Sequence, residues 1–211
     1  MITVHHLNDS RSQRILWLLE ELDIDYEVVN YQRDATTRLA PSELKNIHPL
    51  GKSPVIMDGD ISIHESGAIT DYLIRTYGSG KFTPKTGTKE YEKYVEWLHY
   101  AEGSAMLPLL LRLYTARLGD AAAPLMPRID DETANHFSFM NSEMTDREFF
   151  VGANLTGADI MMSFPLEAAR ARGILDDYPA LSNYVAQIQQ RPAYLRALEK
   201  GGKYTYGPAT S

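Results

Sequence analysis

Residues 46–67, NIHPLGKSPVIMDGDISIHESG, decide how the rest of the chain is read. Pro54-Val55-Ile56-Met57 is a short apolar run and Ile61 to His64 alternates apolar with polar, while Asp58-Gly59-Asp60 between them supplies turn chemistry. The stretch predicts a β-hairpin. Pro54 opens the first strand, and its missing N–H leaves the ladder open at that point, so the backbone beside it can pair with something other than a strand. Glu65 or Ser66 then starts a helix with Ile69, Tyr72, Leu73 and Tyr77 at helical spacing. The first N–H groups of that helix, with their partial positive charge, face the end of the hairpin and suit a small carboxylate.

Working outward toward the N-terminus, Ile2 to Leu7 reads as a strand and Asn8-Asp9-Ser10 as a turn. That turn caps a helix carrying Ile15, Leu16, Leu18, Leu19 and Leu22. Tyr26 to Tyr31 is a second strand, and strand-helix-strand in so short a span favours a parallel pair with a crossover helix. The polar stretch Arg33 to Asn46 holds a short helix with Pro41 in its first turn. The order β-α-β-α-β-β-α is that of an α/β thioredoxin-like domain.

Past Gly78-Ser79-Gly80, Pro84 and Gly87 the pattern changes to helices alone. Glu90 to about Leu118 is one long periodic segment that Pro108 should kink, and 119–127 are breakers. Helices follow over Ile129 to Asp146, Thr156 to Arg172, Ala180 to Gln190 and Pro192 to Lys200. Thr156 and Asp159 form a capping box and Leu155 and Ile160 a hydrophobic staple, a purely structural device worth about 1 kcal/mol. The tail, Gly201 to Ser211, carries Tyr204 and Tyr206. The expected division is a thioredoxin-like N-terminal domain over 1–79 and an all-α C-terminal helical domain over 88–211.

Composition sets the outer limits. The 211 residues are 44% hydrophobic and 23% charged, which suffices for one good core or two small ones. The net charge of −7, with no basic run, argues against nucleic acid or an anionic membrane surface as partner. An acidic ligand must therefore be met by local positive groups. With no cysteine, disulfides and any mechanism using the protein's own thiol are excluded, so sulfur chemistry would need a sulfur-bearing ligand. No apolar run approaches a membrane span and the first residues lack a signal-peptide pattern, from which a cytoplasmic protein is expected. His5 and His6 alternate on a strand with no third ligand in view, and His48 and His64 read as loop and edge residues, so no metal site is expected.

The run His48-Pro49-Leu50-Gly51-Lys52-Ser53-Pro54 followed by Glu65-Ser66-Gly67-Ala68-Ile69 resembles the glutathione-binding half of the cytosolic glutathione transferase family. The Asp9-Ser10-Arg11 turn is similar to that of its serine-type fungal and bacterial members. The resemblance implies a cis proline at Pro54 and glutathione as co-substrate, with Lys52 at the glycyl end and the Ser53 backbone at the cysteinyl amide. Glu65 and Ser66 would take the γ-glutamyl amine and carboxylate. Each residue suits its role, a cation meeting a carboxylate and an anion an ammonium. The resemblance also implies a homodimer, in which Glu102 reaches the partner's glutathione; its plainer reading is a solvated helix charge.

A free thiol with a pKa of about 8.5 is only a few per cent thiolate near neutrality, so the anion must be stabilised. A hydroxyl donor at a helix N-terminus does that, and Ser10, four residues before Arg14, is assigned the role on the resemblance. Ser10 is also a plain N-cap candidate, and Ser12 and Asn8 compete within the same turn. The expected activity is conjugation of glutathione to small apolar electrophiles, held near Met106, Leu109, Leu110 and Tyr114, although apolar residues at this spacing are more often core. Isomerase, dehalogenase or peroxidase chemistry on the same thiolate, or a non-catalytic binder of the same fold, are the alternatives.

Overall fold

The computed structural model describes residues 1–208; the last three residues of the expected tail and second domain lie outside the described residues. Two compact units form, one from 1–83 together with the chain from Ile188 onward, the other from Pro84–Gln187.

The first unit is built on a four-stranded sheet of order β2-β1-β3-β4, with β1 Ile2–Leu7, β2 Tyr26–Tyr31, β3 Val55–Asp58 and β4 Ile61–His64. β1 runs parallel to β2, as the crossover helix α1 (Ser12–Leu22) requires, and antiparallel to β3. β3 and β4 are the expected hairpin, turning on Gly59 at φ +57° with Val55 opposite His64. Central β1 is covered on both faces, so Ile2, Val4 and Leu7 are buried, and His5 and His6 with them. They meet Ile15, Leu16, Leu18 and Leu19 of α1, with Ile69 and Leu73 of α2 (Ser66–Tyr77) in the same core. Each fully buried aliphatic side chain contributes about 1.5–3 kcal/mol. The helix expected between β2 and β3 is reduced to a 3-10 turn, Ser42–Asn46. Upstream of it, Asp34 accepts from the amides of Thr36 and Thr37, a side-chain turn that competes with helix formation.

The chain end departs from expectation. The last helix, Pro192–Gly201, packs on α1 in the first unit rather than joining the helical unit that the reading of 88–211 assigned it to. Polar chemistry on α1 is the reason. Glu20 is 8% exposed and accepts from Arg196 at 2.7 Å, Lys200 at 2.7 Å and Tyr26 at 2.9 Å. Glu21 takes both Nε and a terminal nitrogen of Arg191, at 2.6 and 3.0 Å, plus the Trp17 indole. Arg191 and Arg196 stand 170 and 176 residues from the glutamates they hold.

The second unit is helical: α3 Lys89–Tyr100, α4 Met106–Thr115, α5 Met126–Met144, α6 Gly157–Arg170 and α7 Pro179–Ile188, with α8 (192–201) already placed in the first unit. The single segment expected over 90–118 is interrupted by a π turn, Ala101–Ala105. Pro108 has no N–H to donate to Ser104 and its ring crowds that carbonyl, and widening the preceding turn absorbs the conflict. Helix α6 is apolar on nearly every face and accordingly buried along its length. Its capping box forms as expected, and Asp159 gathers further donors, the Phe150 amide at 3.0 Å and Tyr184 hydroxyl at 3.1 Å. Burial nonetheless pushes the Asp159 carboxyl up to about 6, those donors opposing it. Met106 and Leu109, expected near a substrate, are core residues, whereas Tyr114 is exposed.

Candidate active site

The site assembles where β1 ends. Continuing the β1–β3 register two residues past His5↔Val55 sets Leu7 opposite Ser53. There the ladder changes hands: the Leu7 N–H donates to the Ser53 hydroxyl at 3.1 Å, and that hydroxyl donates to the His5 carbonyl at 2.8 Å. A side chain thus makes the connection to β1 that peptide groups make farther along the strand. The Ser53–Pro54 peptide is cis.

Because Val55 stands opposite His64, the next residues of the hairpin bring Pro54 and Glu65 to the same end of the sheet. Glu65 is exposed, precedes the first turn of α2 and holds φ +70°, ψ 115°, a conformation that costs a non-glycine residue about 1–3 kcal/mol. Ile69 makes the first helical bond, to the Glu65 carbonyl, so the amides of Ser66, Gly67 and Ala68 point out of the helix start. The rings of His48 and His64 pack with centroids 4.0 Å apart, tilted by 30°, joining the loop before Pro54 to the strand before Glu65. Lys52 is exposed on that loop.

The turn after β1 is stitched from several directions. Asp9, at φ +50°, accepts from Arg38 at 2.7 Å and from the Thr205 amide at 2.8 Å. Burial raises its carboxyl pKa, but the Thr205 amide and Arg38 outweigh burial and hold it below the ordinary range. The Arg33 guanidinium donates to three carbonyls, of Asn8, Asp9 and Arg38, and its amide takes the Asn8 side-chain oxygen at 2.7 Å. Three neutral acceptors leave the charge of Arg33 in place beside the turn.

Ser10 is 4% exposed and lies two residues before α1; its hydroxyl accepts the Ser12 amide at 3.2 Å and bonds the Ser12 hydroxyl at 2.8 Å. That amide belongs to the first residue of the helix, while Arg11 holds the N-cap position with no side-chain cap bond, so Ser10 is not the N-cap of its plainer reading. Ser12, wholly buried, also meets His6 Nδ1 at 2.8 Å and both peptide groups of Leu7 at 3.2 Å. The Leu7 N–H is shared between the Ser12 and Ser53 hydroxyls. Asn8, the third candidate donor, has its oxygen committed to Arg33.

The chain belongs to the glutathione transferase family. Residues 1–75 match the family described as Glutathione S-transferase, N-terminal domain, and residues 104–192 match Glutathione S-transferase, C-terminal domain. Glutathione S-transferase 1 of Saccharomyces cerevisiae is 34% identical, with 95% of each chain covered. A glutathione S-transferase crystal structure from Actinobacillus pleuropneumoniae superposes with a TM-score of 0.90 at 38% identity, over 97% of this chain and 94% of that one. Disulfide-bond oxidoreductase YfcG of Escherichia coli is 28% identical over 95% of each chain.

Of the expected residues, Ser10, Ser53 and Pro54 come together at the end of β1, with Glu65 and Ser66 beside Pro54 at the hairpin end. Glu102 lies in the π turn of the helical unit, half-buried. Sequence reasoning passed over His6, weighed as a metal ligand and set aside, and over Arg33 and Arg38. A polar residue inside an otherwise apolar central strand was the available signal for His6. Among the described residues no three His, Asp or Glu side chains converge as a metal site, and no helix is long and apolar enough to cross a membrane.

Proposed function

We propose that this chain binds glutathione along the end of β1 and the hairpin, stabilises its thiolate with the Ser10 hydroxyl, and adds the sulfur to small apolar electrophiles. The observation that carries the reading is the Ser10 hydroxyl at the start of α1, linked through the Ser12 hydroxyl and the Leu7 N–H to the hydroxyl of Ser53 at the Ser53–Pro54 bend. Lys52 serves the glycyl carboxylate, the Ser53 main chain the cysteinyl amide, and Glu65 with the α2 amides the γ-glutamyl amine and carboxylate. The backbone cost held at Glu65 supports a ligand role, since such conformations persist where a site uses them. The protein works as a cytoplasmic homodimer in which Glu102 reaches the partner's glutathione.

In the reaction the bound thiol loses its proton to solvent, Ser10 donates a hydrogen bond to the resulting anion, and the sulfur lone pair forms the new bond to the electrophilic carbon as that carbon's leaving group, such as a halide, departs with its bonding electrons. Ser10 keeps its own proton throughout. A hydrogen bond to an anion contributes about 1.5–3 kcal/mol, so Ser10→Ala should raise the bound thiol's pKa by about 1–2 units while leaving glutathione bound. The test is the pH dependence of thiolate absorbance in the wild-type and Ser10→Ala complexes, and identical profiles overturn the assignment.

A second reading follows from the E. coli oxidoreductase relative. Lacking cysteine, this chain would support disulfide reduction through two glutathiones, which yield one glutathione disulfide as the substrate disulfide becomes two thiols. Turnover of a small disulfide exceeding turnover of an electrophilic arene would favour it.

A further inference from the structure

Ser12 and its surroundings give a reason why Ser10, rather than Ser12, can serve the sulfur in the proposed function. The Ser12 oxygen has four polar neighbours, His6 Nδ1 and Ser10 Oγ at 2.8 Å and the Leu7 nitrogen and oxygen at 3.2 Å, and one proton to give. Leu7 N–H can only donate. The His6 ring settles where the Ser12 proton goes. His6 shares a strand face with Ile2 and Val4, is 2% exposed, and is neutral near pH 7 because burial lowers its pKa to about 4. Its Nε2 faces Gly201, where a Cβ would lie 3.3 Å away, and the Gly201 carbonyl accepts from the ring. A carbonyl cannot donate, so the single ring proton sits on Nε2 and Nδ1 presents a lone pair. Among the described residues the donor within reach of that lone pair is the Ser12 hydroxyl. The bond between the two serines must then run from Ser10 to Ser12.

We infer that His6 is a positioning residue that fixes the direction of the chain Ser10→Ser12→His6→Gly201, holding the Ser12 proton inward so that Ser10 owns the one hydroxyl proton that can turn to sulfur. The inference rests on the proposed role of Ser10 and adds a sign to it. With no ligand the Ser10 proton lies on Ser12. A thiolate must draw it away, so Ser12 competes with the sulfur as an acceptor. Removing that competitor should favour the thiolate, the reverse of what deleting a donor does.

Gly201 is part of the device. A side chain there would meet Gln13 Oε1 and Leu16 Cδ1, each at 2.8 Å, so glycine lets α8 bring its carbonyl to the ring.

Two measurements test this. In the ligand-free protein, nitrogen-15 chemical shifts of the His6 ring should report the Nε2–H tautomer, and an Nδ1–H tautomer overturns the inference whatever glutathione does. In the glutathione complex, the thiolate absorbance profile of Ser12→Ala should move to lower pH by about half a unit to one unit, the size of one neutral hydrogen bond, while Ser10→Ala moves it higher. His6→Leu should shift it in the Ser12→Ala direction, and Ser12→Ala carries the test if that variant fails to fold. A Ser12→Ala profile that is unchanged or shifted upward, with Ser10→Ala still shifted upward, overturns the chain direction alone. No shift in Ser10→Ala overturns the proposed function and this inference together.

Discussion

Acidification from pH 7 to 5 should pull the two units in opposite directions. In the helical unit, Asp159 has its pKa raised to about 6 by burial, against 3.8 unfolded. A raised acid keeps its proton longer when folded, so its stabilising contribution is complete below the unfolded pKa and lost as pH rises through about 6. In the first unit, buried His6 is lowered to about 4 from 6.5, so the unfolded chain takes up the proton first and stability falls as pH drops below 6.5. Between pH 7 and 5 the linkage relation gives the helical unit a gain of about 1 kcal/mol and the first unit a loss of about 2 kcal/mol. His5, also lowered by burial, adds to the loss. The carboxyls held low, Asp9, Glu20, Asp34 and Asp58, titrate below this window. Each unit has its own reporter, Trp17 on α1 and Trp97 on α3, both buried. Urea unfolding of Trp17→Phe and Trp97→Phe by fluorescence should show the midpoint reported by Trp97 rising with acid and that reported by Trp17 falling. If the two move together in a single transition, the net loss of about 1 kcal/mol should lower the shared midpoint. A Trp97 midpoint that falls while Trp17's holds steady refutes the reasoning about both groups.

Glu65→Gly removes the positive-φ cost and should raise the melting temperature while weakening glutathione binding; calorimetry on the same variant that finds both quantities unchanged sinks the ligand role. Gln13 is 1% exposed and neither atom of its amide has a hydrogen-bond partner among the described residues, so Gln13→Met should be neutral or stabilising by about 1 kcal/mol in urea titration. Glu20→Gln leaves Arg196 and Lys200 facing a neutral amide, and a loss of about 2 kcal/mol is expected, discounted from a fully buried pair because both cations are half exposed. A Glu20→Gln variant as stable as wild type would mean that α8 is held by its apolar face alone.

The parts of this molecule legible from sequence are those whose cause is local. The hairpin follows from Asp58-Gly59-Asp60 between two short apolar runs, the α6 start from Thr156 and Asp159 three residues apart, and the β1-α1-β2 unit from periodicities that need no distant partner. The long segment is interrupted by a π turn upstream of Pro108, a form that depends on how the helix resolves a crowded carbonyl. What stayed hidden depends on pairs far apart in the chain. Nothing local distinguishes Glu20 from a solvated helix glutamate until Arg196 and Lys200 arrive, nor His6 from a misplaced polar residue until Gly201 does. The Ser53 hydroxyl was equally opaque, because its role is to stand in for peptide groups and exists only once β1 and β3 are in register.

The return of α8 to α1 makes the first unit discontinuous in the chain, with consequences for the order of assembly. During synthesis the strands and α1 emerge first, but the face of α1 carrying Leu16 and Glu20 has no cover until residues 188–208 have been made. The intervening helical segment, 84–187, is continuous and carries its own core and capping box, so it can close while the earlier segment still waits. The ring of His6 gains its Gly201 acceptor in that last step, so by this account the hydrogen-bond chain to Ser10 acquires its direction late, after most of the protein around it has folded.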